Sequence, residues 1–437
     1  MDTKSSADRA YAKIVNAWCM YDWANSAFAT TILAAVLPTF YSSVAGANLE
    51  PVQASGYWGY TNTVAMLLVA LSAPILGAIA DHSGAKKRFL GGFAGLGIIF
   101  TSLLVLVSTG DWLMASAFYV LGRVGFAGAN IFYDSLLPHV ARPEDIDQVS
   151  TKGYALGYLG GGLLLVINLA WIMKPEWFGL PGAEIASRLS FLSVGVWWAL
   201  FSIPLFRRVA EPPFVRERGE SGNPFRAGFQ RLGRTFSEIR RYRELFKYLV
   251  AFWLYNDGIG TIMTMAVIFG AEIGIETTNL IGAILAVQFI GIPFSFAFGW
   301  LARRLGTKRS ILLALGVYTV IAIGGYFMQT SLHFWILAIL VATVQGGSQA
   351  LSRSLFGRMA PKAKSAEFFG FYDVSSKFAG IVGPALFGVV GQLTGSSRLS
   401  IVSLVIFFVI GGGLLLWVDE REGIRLADEE NQAAGLA

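Results

Sequence analysis

The sequence GAIADHSGAKKR at residues 77–88 decides the fold, because a related sequence, GWLARRLGTKR, recurs at residues 299–309. Each copy has a glycine, a charged residue four positions later, a second glycine and then a basic pair. The two copies begin 222 residues apart, about half the length of the 437-residue chain. A repeat of this period is typical of membrane proteins that consist of two homologous bundles of helices.

The composition also indicates a membrane protein. Hydrophobic residues make up 54% of the chain and charged residues only 14%, whereas soluble domains have roughly 25% charged residues. In lipid the backbone must satisfy its own hydrogen bonds, so only α-helices or a closed β-barrel can span the membrane. The apolar stretches are uninterrupted and longer than barrel strands of about 10 residues, and they therefore predict an all-α membrane protein.

Twelve stretches are long enough for a membrane-spanning helix, which needs about 20 mostly apolar residues. These helices are predicted at residues 16–44, 57–80, 89–109, 112–138, 151–173, 187–206, 246–270, 278–302, 310–329, 332–357, 367–393 and 398–418. The sequence therefore predicts an N-terminal six-helix bundle (1–206), a basic cytosolic linker (207–245), a C-terminal six-helix bundle (246–418) and a frayed acidic tail (419–437).

Lysine and arginine concentrate on one side of the predicted helices, and this asymmetry places that side in the cytosol. Both repeated loops lie there, as does the linker, in which an amphipathic helix at residues 225–243 is expected to lie on the membrane surface. Both termini are then cytosolic, which agrees with an even number of spans. The net charge of +6 comes from these loops, so nucleic acid is not an expected partner.

No residue pattern indicates an enzyme, a metal site or a cofactor. The three histidines lie in separate loops or helix ends, and the single Cys19 allows neither an intramolecular disulfide nor a cysteine metal site. Glycine-rich runs lie within apolar helices and follow no strand, which excludes a phosphate-binding loop. Without a nucleotide site, any movement of a solute across the membrane is expected to be driven by a gradient.

Seven ionisable residues fall inside the predicted helices, where a charge costs at least about 2.5 kcal/mol and indicates a solute or ion pathway. They are Asp22, Arg123, Asp134, Asp257, Arg353, Asp373 and Lys377. On the tenth predicted helix, Gln345, Gln349 and Arg353 follow one another one turn apart. Asp134 and Arg353 lie near the cytosolic ends of their helices and are predicted to act at a cytosolic gate.

The first and seventh predicted helices each combine a tyrosine, an asparagine and an aspartate. We predict a polar substrate or coupling site from Asp22, Asn25, Asn256 and Asp257, with Tyr21 and Tyr255 available to stack on a ligand. A carboxylate there would bind a cationic amino group or take a proton, and Arg123 would neutralise a carboxylate of Asp22 or of the substrate. The structural alternative is that each aspartate pairs with a helix N-terminus or a basic neighbour.

The loop at residues 77–88 resembles the signature of the major facilitator superfamily, Gly-x-x-x-Asp-Arg/Lys-x-Gly-x-Arg/Lys-Arg/Lys, with His82 at a basic position. The resemblance implies twelve transmembrane helices in two pseudo-symmetric bundles and a role for Asp81 in the cytosolic gate. It assigns to that gate Gly77, Asp81, Gly84, Lys86, Lys87, Arg303, Arg304 and Gly306. Because Arg303 replaces the aspartate in the second copy, the two halves are not expected to be equivalent there.

A narrower resemblance rests on YDWANSAFATT at 21–31, LYNDG at 254–258 and FGFYDVSSK at 369–377. These stretches are similar to the branch that includes the fungal autophagy-related vacuolar amino-acid effluxers and their bacterial relatives. The resemblance covers nearly the whole chain and implies an amino-acid-like substrate. Asp373 and Lys377, spaced as i and i+4, are expected to form a structural pair.

The preferred interpretation is a secondary transporter that moves a small polar or zwitterionic solute by alternating access, with proton coupling as a hypothesis from the buried carboxylates. We expect a monomer in the inner (plasma) membrane of a bacterial cell. Two alternatives remain at this point: an exporter of amphipathic or drug-like compounds, and a membrane sensor or lipid-handling protein of the same fold that transports nothing.

Overall fold

The computed structural model describes residues 6–213, 241–378 and 382–436, together with residues 226, 229, 230 and 233. Within these ranges the chain is helical and has no β-strand. The main helices are α1 (Ser6–Ala45), α2 (Pro51–Ser83), α3 (Lys86–Leu103), α4 (Trp112–Ser135), α5 (Ile146–Met173), α6 (Ala183–Arg208), α7 (Arg243–Glu272), α8 (Thr277–Leu305), α9 (Thr307–Tyr326), α10 (Ser331–Met359), α11 (Ser365–Phe378 and Val382–Thr394), α12 (Ser397–Trp417) and α13 (Glu420–Ala433).

Ten of the helices in the described ranges are long and apolar enough to cross a membrane. The 30-residue α7 and the two-part α11 complete the twelve helices expected from the sequence. Several helices begin earlier than predicted; α1 starts at Ser6 and α5 at Ile146. Most of the amphipathic helix predicted at 225–243 lies outside the described residues.

Contacts divide the chain into two compact units, which are described separately below. Unit 1 consists of Met1–Ala73, Ser83–Leu136 and Leu156–Pro212. Unit 2 consists of Pro74–His82, Leu137–Ala155 and Pro213–Ala437. The cytosolic end of α2 and the beginning of α5 therefore belong to unit 2, with the second half of the chain.

Glycines allow close helix packing inside unit 1. A Cβ atom at Gly157 or Gly160 of α5 would collide with α1, at Ser26 and Trp23 respectively. Small residues at helix interfaces let two backbones approach closely, and this packing stabilises helix pairs in a membrane. The glycine run of α5 is thus a packing surface against the face of α1 that follows Asp22.

The acidic tail forms a docked helix, so the frayed end predicted from its charge is wrong. Helix α13 is capped by Asp419, whose Oδ1 accepts the amides of Arg421 and Glu422 at 3.1 Å each. Its buried residues, Gly423, Ala427 and Asn431, follow one another four positions apart. The four-residue spacing places them on one face of α13, and this face packs within unit 2, with Gly423 against the side chain of Met359 in α10.

Candidate functional site

The second glycine of each repeated loop joins two helices at a turn. Gly84, between α2 and α3, has a φ of +59°, and Gly306, between α8 and α9, has a φ of +91°. Residues with a side chain rarely adopt positive φ, whereas glycine does so at little cost. The backbone of the turn therefore requires the glycine that both copies share.

The first glycine of each loop is required by close packing. A Cβ atom at Gly77 would overlap the backbone carbonyl of Ala366 in α11. A Cβ atom at Gly299 would overlap the hydroxyl of Thr151 in α5. Both contacts lie within unit 2, and in both the cytosolic end of one helix lies directly against another helix.

Asp81 holds the beginning of α11. Its side chain is 2% exposed, and its two carboxylate oxygens accept the amides of Ala366 (3.3 Å) and Glu367 (2.8 Å). The first amides of a helix have no partner within the helix, and the helix dipole favours a negative charge at that end. Asp81 therefore fixes the end of α2 to the first turn of α11.

Arg303 and Arg304, which follow the first glycine of the second loop, are exposed at the end of α8. Arg304 lies over the ring of Trp300 at 5.5 Å. Neither residue makes a helix contact like that of Asp81 within the part of the chain that the structure describes. The difference between the two loops that the sequence indicated is thus present in the burial of these side chains.

Asp147, in the first turn of α5, makes the corresponding contact with the second loop, and the sequence interpretation missed it. Its Oδ2 accepts Thr307 Oγ1 at 2.8 Å and an Nη2 hydrogen bond from Arg358 at 2.5 Å. Its Oδ1 accepts the hydroxyl of Ser354 at 2.5 Å. The residue is 3% exposed, and its carboxylate joins α5, α9 and α10 within unit 2.

Arg353 of α10 is bound to the beginning of α5. Its Nε donates to Ser150 Oγ at 2.9 Å and its Nη2 to the Ser150 carbonyl at 3.0 Å. The guanidinium also lies 4.5 Å from the ring centroid of Tyr154, within the range of a cation–π contact. The gate residue predicted on α10 therefore lies in the same unit as Asp81 and Asp147, whereas Asp134 lies half-buried in unit 1.

The lysines of the repeated loops cap other helices. Lys87 Nζ donates to the carbonyls of Phe206 and Val209 at the end of α6. Lys308 Nζ donates in the same way to Leu416 and Val418 at the end of α12. Positive charge is favourable at a helix C-terminus, so each loop fixes the last helix of its own half. Lys86, in the first turn of α3, is buried.

In unit 1, two of the predicted site residues of α1 pair with α4. Asp22 Oδ2 accepts the hydroxyl of Tyr133 at 2.8 Å, and Asn25 Nδ2 donates to Asn130 Oδ1 at 2.5 Å. Tyr21 is fully buried and packs on Tyr133, with the ring centroids 4.8 Å apart. These contacts join α1 to the cytosolic half of α4.

In unit 2, Asp257 is 1% exposed, and its Oδ2 accepts the amide of Gly383 at 3.0 Å. Its Oδ1 has no hydrogen-bond partner among the residues that the structure describes. The neighbouring Tyr255 is bound to Ser352 Oγ at 2.7 Å, and Asn256 is half-buried. The four-residue site predicted from α1 and α7 draws on both units and stays a prediction.

Asp373 of α11 is 8% exposed. The side chain of Lys377 lies outside the described part of the chain, so the pair predicted between these two residues stays a prediction.

A family model described as "Vacuole effluxer Atg22 like" matches residues 11–428 of the chain. The chain is 39% identical over 425 residues to the "Uncharacterized MFS-type transporter YxiO" of Bacillus subtilis (strain 168), covering 97% of this chain and 99% of that protein. It is 24% identical over 445 residues to Autophagy-related protein 22 of Pyricularia oryzae, covering 83% of this chain but only 65% of the fungal protein.

Among solved structures, the chain resembles the proton:xylose symporter XylE of the major facilitator superfamily. The TM-score is 0.73 at 14% sequence identity, and the match covers 97% of this chain and 99% of the symporter chain. At so low an identity the likeness shows the fold alone.

Proposed function

The chain belongs to the Atg22-like family of the major facilitator superfamily, and from this premise we propose that it moves a small zwitterionic, amino-acid-like solute by alternating access. The predictions of a twelve-helix fold, of a multi-pass protein in the plasma membrane and of a transporter that is no enzyme are confirmed by the family and by the fold. The class of solute and the coupling ion belong to the proposal.

The observation that supports a carboxylate-bearing solute is Arg123. It is the twelfth of the 24 residues of α4, and at 1.5 Å per residue it lies roughly 17 Å from either end of the helix. Its side chain is half-buried. Its guanidinium lies 6.0 Å from the ring centroid of Phe126, and no carboxylate pairs with it among the described residues. An arginine at this depth without a counter-ion is costly unless it meets water or an anion.

The polar groups beside Arg123 already bind one another. Tyr119, one turn earlier on α4, donates to Asn62 Oδ1 at 2.5 Å. The amide of Asn62 in turn donates to the carbonyl of Trp58 at 2.9 Å. Of the two carboxylates considered for Arg123, that of Asp22 is bound to Tyr133 instead. The carboxylate of a solute therefore remains the better candidate, and planar bidentate binding of carboxylates is typical of arginine.

Asp257 is the candidate for the coupling proton. Among the described residues, the buried carboxylate of Asp257 accepts one amide, on Oδ2; the anion is therefore poorly compensated, whereas a protonated carboxyl avoids that cost. The amino-acid class of the solute rests on the resemblance to the fungal effluxers. One structural neighbour, XylE, is a proton:xylose symporter. For this reason the test includes a pH gradient.

The test is uptake of a radiolabelled amino-acid panel into proteoliposomes, with and without a pH gradient. We expect wild-type protein to transport at least one amino acid. We expect Arg123→Gln to reduce uptake by at least tenfold, the effect of about 1.4 kcal/mol of binding free energy, and Arg123→Lys to retain part of it because the charge is kept. Normal uptake by Arg123→Gln would contradict the role of this residue, and uptake of no solute would favour a sensor or lipid-handling protein.

A further inference from the structure

An apolar cavity lies inside unit 2, between α7, α8, α9, α10 and α12. It has a volume of about 130 Å³. None of the described residues that line it is charged, and most of its wall is aliphatic. Its polar side chains are the amides of Gln288 and Gln345. Small-molecule sites in proteins are typically concave, mostly apolar and supplied with a few polar groups.

Gln345 carries the buried polar atom of this wall that has no partner among the described residues. Its side chain is 7% exposed, and its Oε1 is buried without a hydrogen-bond partner among the described residues. Buried polar atoms are almost always hydrogen-bonded in native proteins, because an unpaired one loses its hydration without compensation. Of the polar stripe on α10, Arg353 is bound to Ser150 and Gln349 is half-buried, so Gln345 is the member whose buried oxygen has no partner among the described residues.

The wall is suited to ligands of variable shape. Three methionines, Met263, Met265 and Met328, line the cavity. Methionine is unbranched and polarizable, and it adapts to irregular apolar surfaces and to aromatic rings. Small residues such as Ala338 border the same space, and they leave room that larger side chains would fill.

We propose that this cavity is a binding site for a small neutral amphipathic compound. The apolar body of the ligand lies among the methionines and aliphatic side chains, and a single O–H or N–H group of the ligand donates to Oε1 of Gln345. A charged ligand is excluded because the described wall offers no charge to pair with it. The site is independent of the proposed carboxylate binding by Arg123, which belongs to unit 1.

The experiment compares two probes that differ in their donor, 4-fluorophenol and 4-fluoroanisole. Binding to the full chain in lipid nanodiscs is measured by fluorine NMR, with empty nanodiscs to subtract partition into lipid. We expect saturable binding of 4-fluorophenol that is about tenfold tighter than that of 4-fluoroanisole. Gln345→Met keeps the size of the side chain and removes the acceptor, so it should weaken 4-fluorophenol about tenfold and leave 4-fluoroanisole unchanged.

Two further variants separate this site from other binding. Gln288→Met removes the other amide of the wall and should change either affinity less than twofold, whereas Ala338→Phe should fill the cavity and abolish binding of both probes. Size-exclusion chromatography checks that each variant is folded. Equal affinities of the two probes in the wild type, an unchanged affinity for 4-fluorophenol in Gln345→Met, or binding no greater than to empty nanodiscs would each overturn the proposal.

Discussion

Asp81 and Asp147 are buried carboxylates with different kinds of partners. Asp81 accepts two backbone amides at the start of α11, whereas Asp147 accepts three side-chain donors, one of them the guanidinium of Arg358. Backbone donors at a helix N-terminus persist when nearby side chains are changed. The contact of Asp147, in contrast, consists of side-chain donors, and only one of them, Arg358, carries a charge.

We therefore predict that Asp147→Asn lowers the free energy of unfolding by roughly 2 kcal/mol, the value of a hydrogen bond to a charged group. The reason is that Arg358 loses its ion-pair partner while the two hydroxyls keep only a neutral acceptor. The measurement is the midpoint of thermal unfolding of the purified protein in detergent. Glu144→Gln removes the same charge from an exposed position three residues earlier and should leave the midpoint unchanged; equal effects of the two variants would contradict the prediction.

The sequence identified two kinds of residue: charged residues within apolar helices, and residues of the repeated loop. Asp81 belongs to a repeated loop, and Arg353 and Asp257 interrupt hydrophobic helices. Asp147 was missed because α5 was predicted to begin at residue 151, whereas it begins at Ile146. Hydropathy detects only the apolar part of a helix, so a charged first turn in the cytosol is read as a loop.

At the scale of the helix, α13 also shows that a charged helix is hard to predict from composition. Its charged sequence predicted a frayed end, because composition counts acidic residues without regard to their position on a helix. The three buried residues at four-residue spacing are too few and too small to give a strong hydrophobic pattern. What orders the helix is its contact with the rest of unit 2. Tyr242 donates to both carboxylate oxygens of Glu430, at 2.8 and 3.1 Å, and Lys364 donates to the hydroxyl of Tyr242.

We predict that Glu430→Gln destabilises the protein by roughly 1–2 kcal/mol, since the side chain is only 14% exposed and loses its charge-assisted bonds. Removal of residues 419–437 should lower the unfolding midpoint further, because the buried stripe of α13 is lost as well. Glu429, the neighbouring residue, is exposed and pairs with Arg425 along the helix, so Glu429→Gln is the control. Thermal unfolding of the three variants in one detergent provides the comparison, and a truncated protein as stable as the wild type would refute the docking role.

At the scale of the whole molecule, the sequence repeat and the tertiary contacts divide the chain at different residues. The repeat of 222 residues divides the sequence into two halves. By their contacts, however, Pro74–His82 and Leu137–Ala155 of the first half belong to the same unit as the second half. Spacing within a sequence contains the first kind of information only. Tertiary contacts between segments far apart in the chain are set by side-chain packing, which a single sequence does not encode in any local pattern.

Coupling is a property of the complete transport cycle, so its test belongs at this scale. We predict that Asp257→Asn abolishes the stimulation of uptake by a pH gradient while exchange of labelled for unlabelled solute continues, because asparagine keeps an oxygen for Gly383 but cannot bind and release a proton. Proteoliposome uptake and exchange assays measure the two activities. Asp111→Asn is the control. Its carboxylate accepts the amide of Ser108 in the loop before α4, so this variant should behave as wild type. An unchanged pH response in Asp257→Asn would exclude this residue as the coupling group.

Cys19, the single cysteine of the chain, is fully buried in α1. A thiol without solvent access reacts slowly with maleimides and methanethiosulfonates. We therefore expect little labelling of the native cysteine in site-directed spin labelling. Pairs of cysteines introduced at exposed positions would then report distance distributions by pulsed electron paramagnetic resonance. The opening and closing that alternating access requires can thus be measured in the membrane without first replacing Cys19.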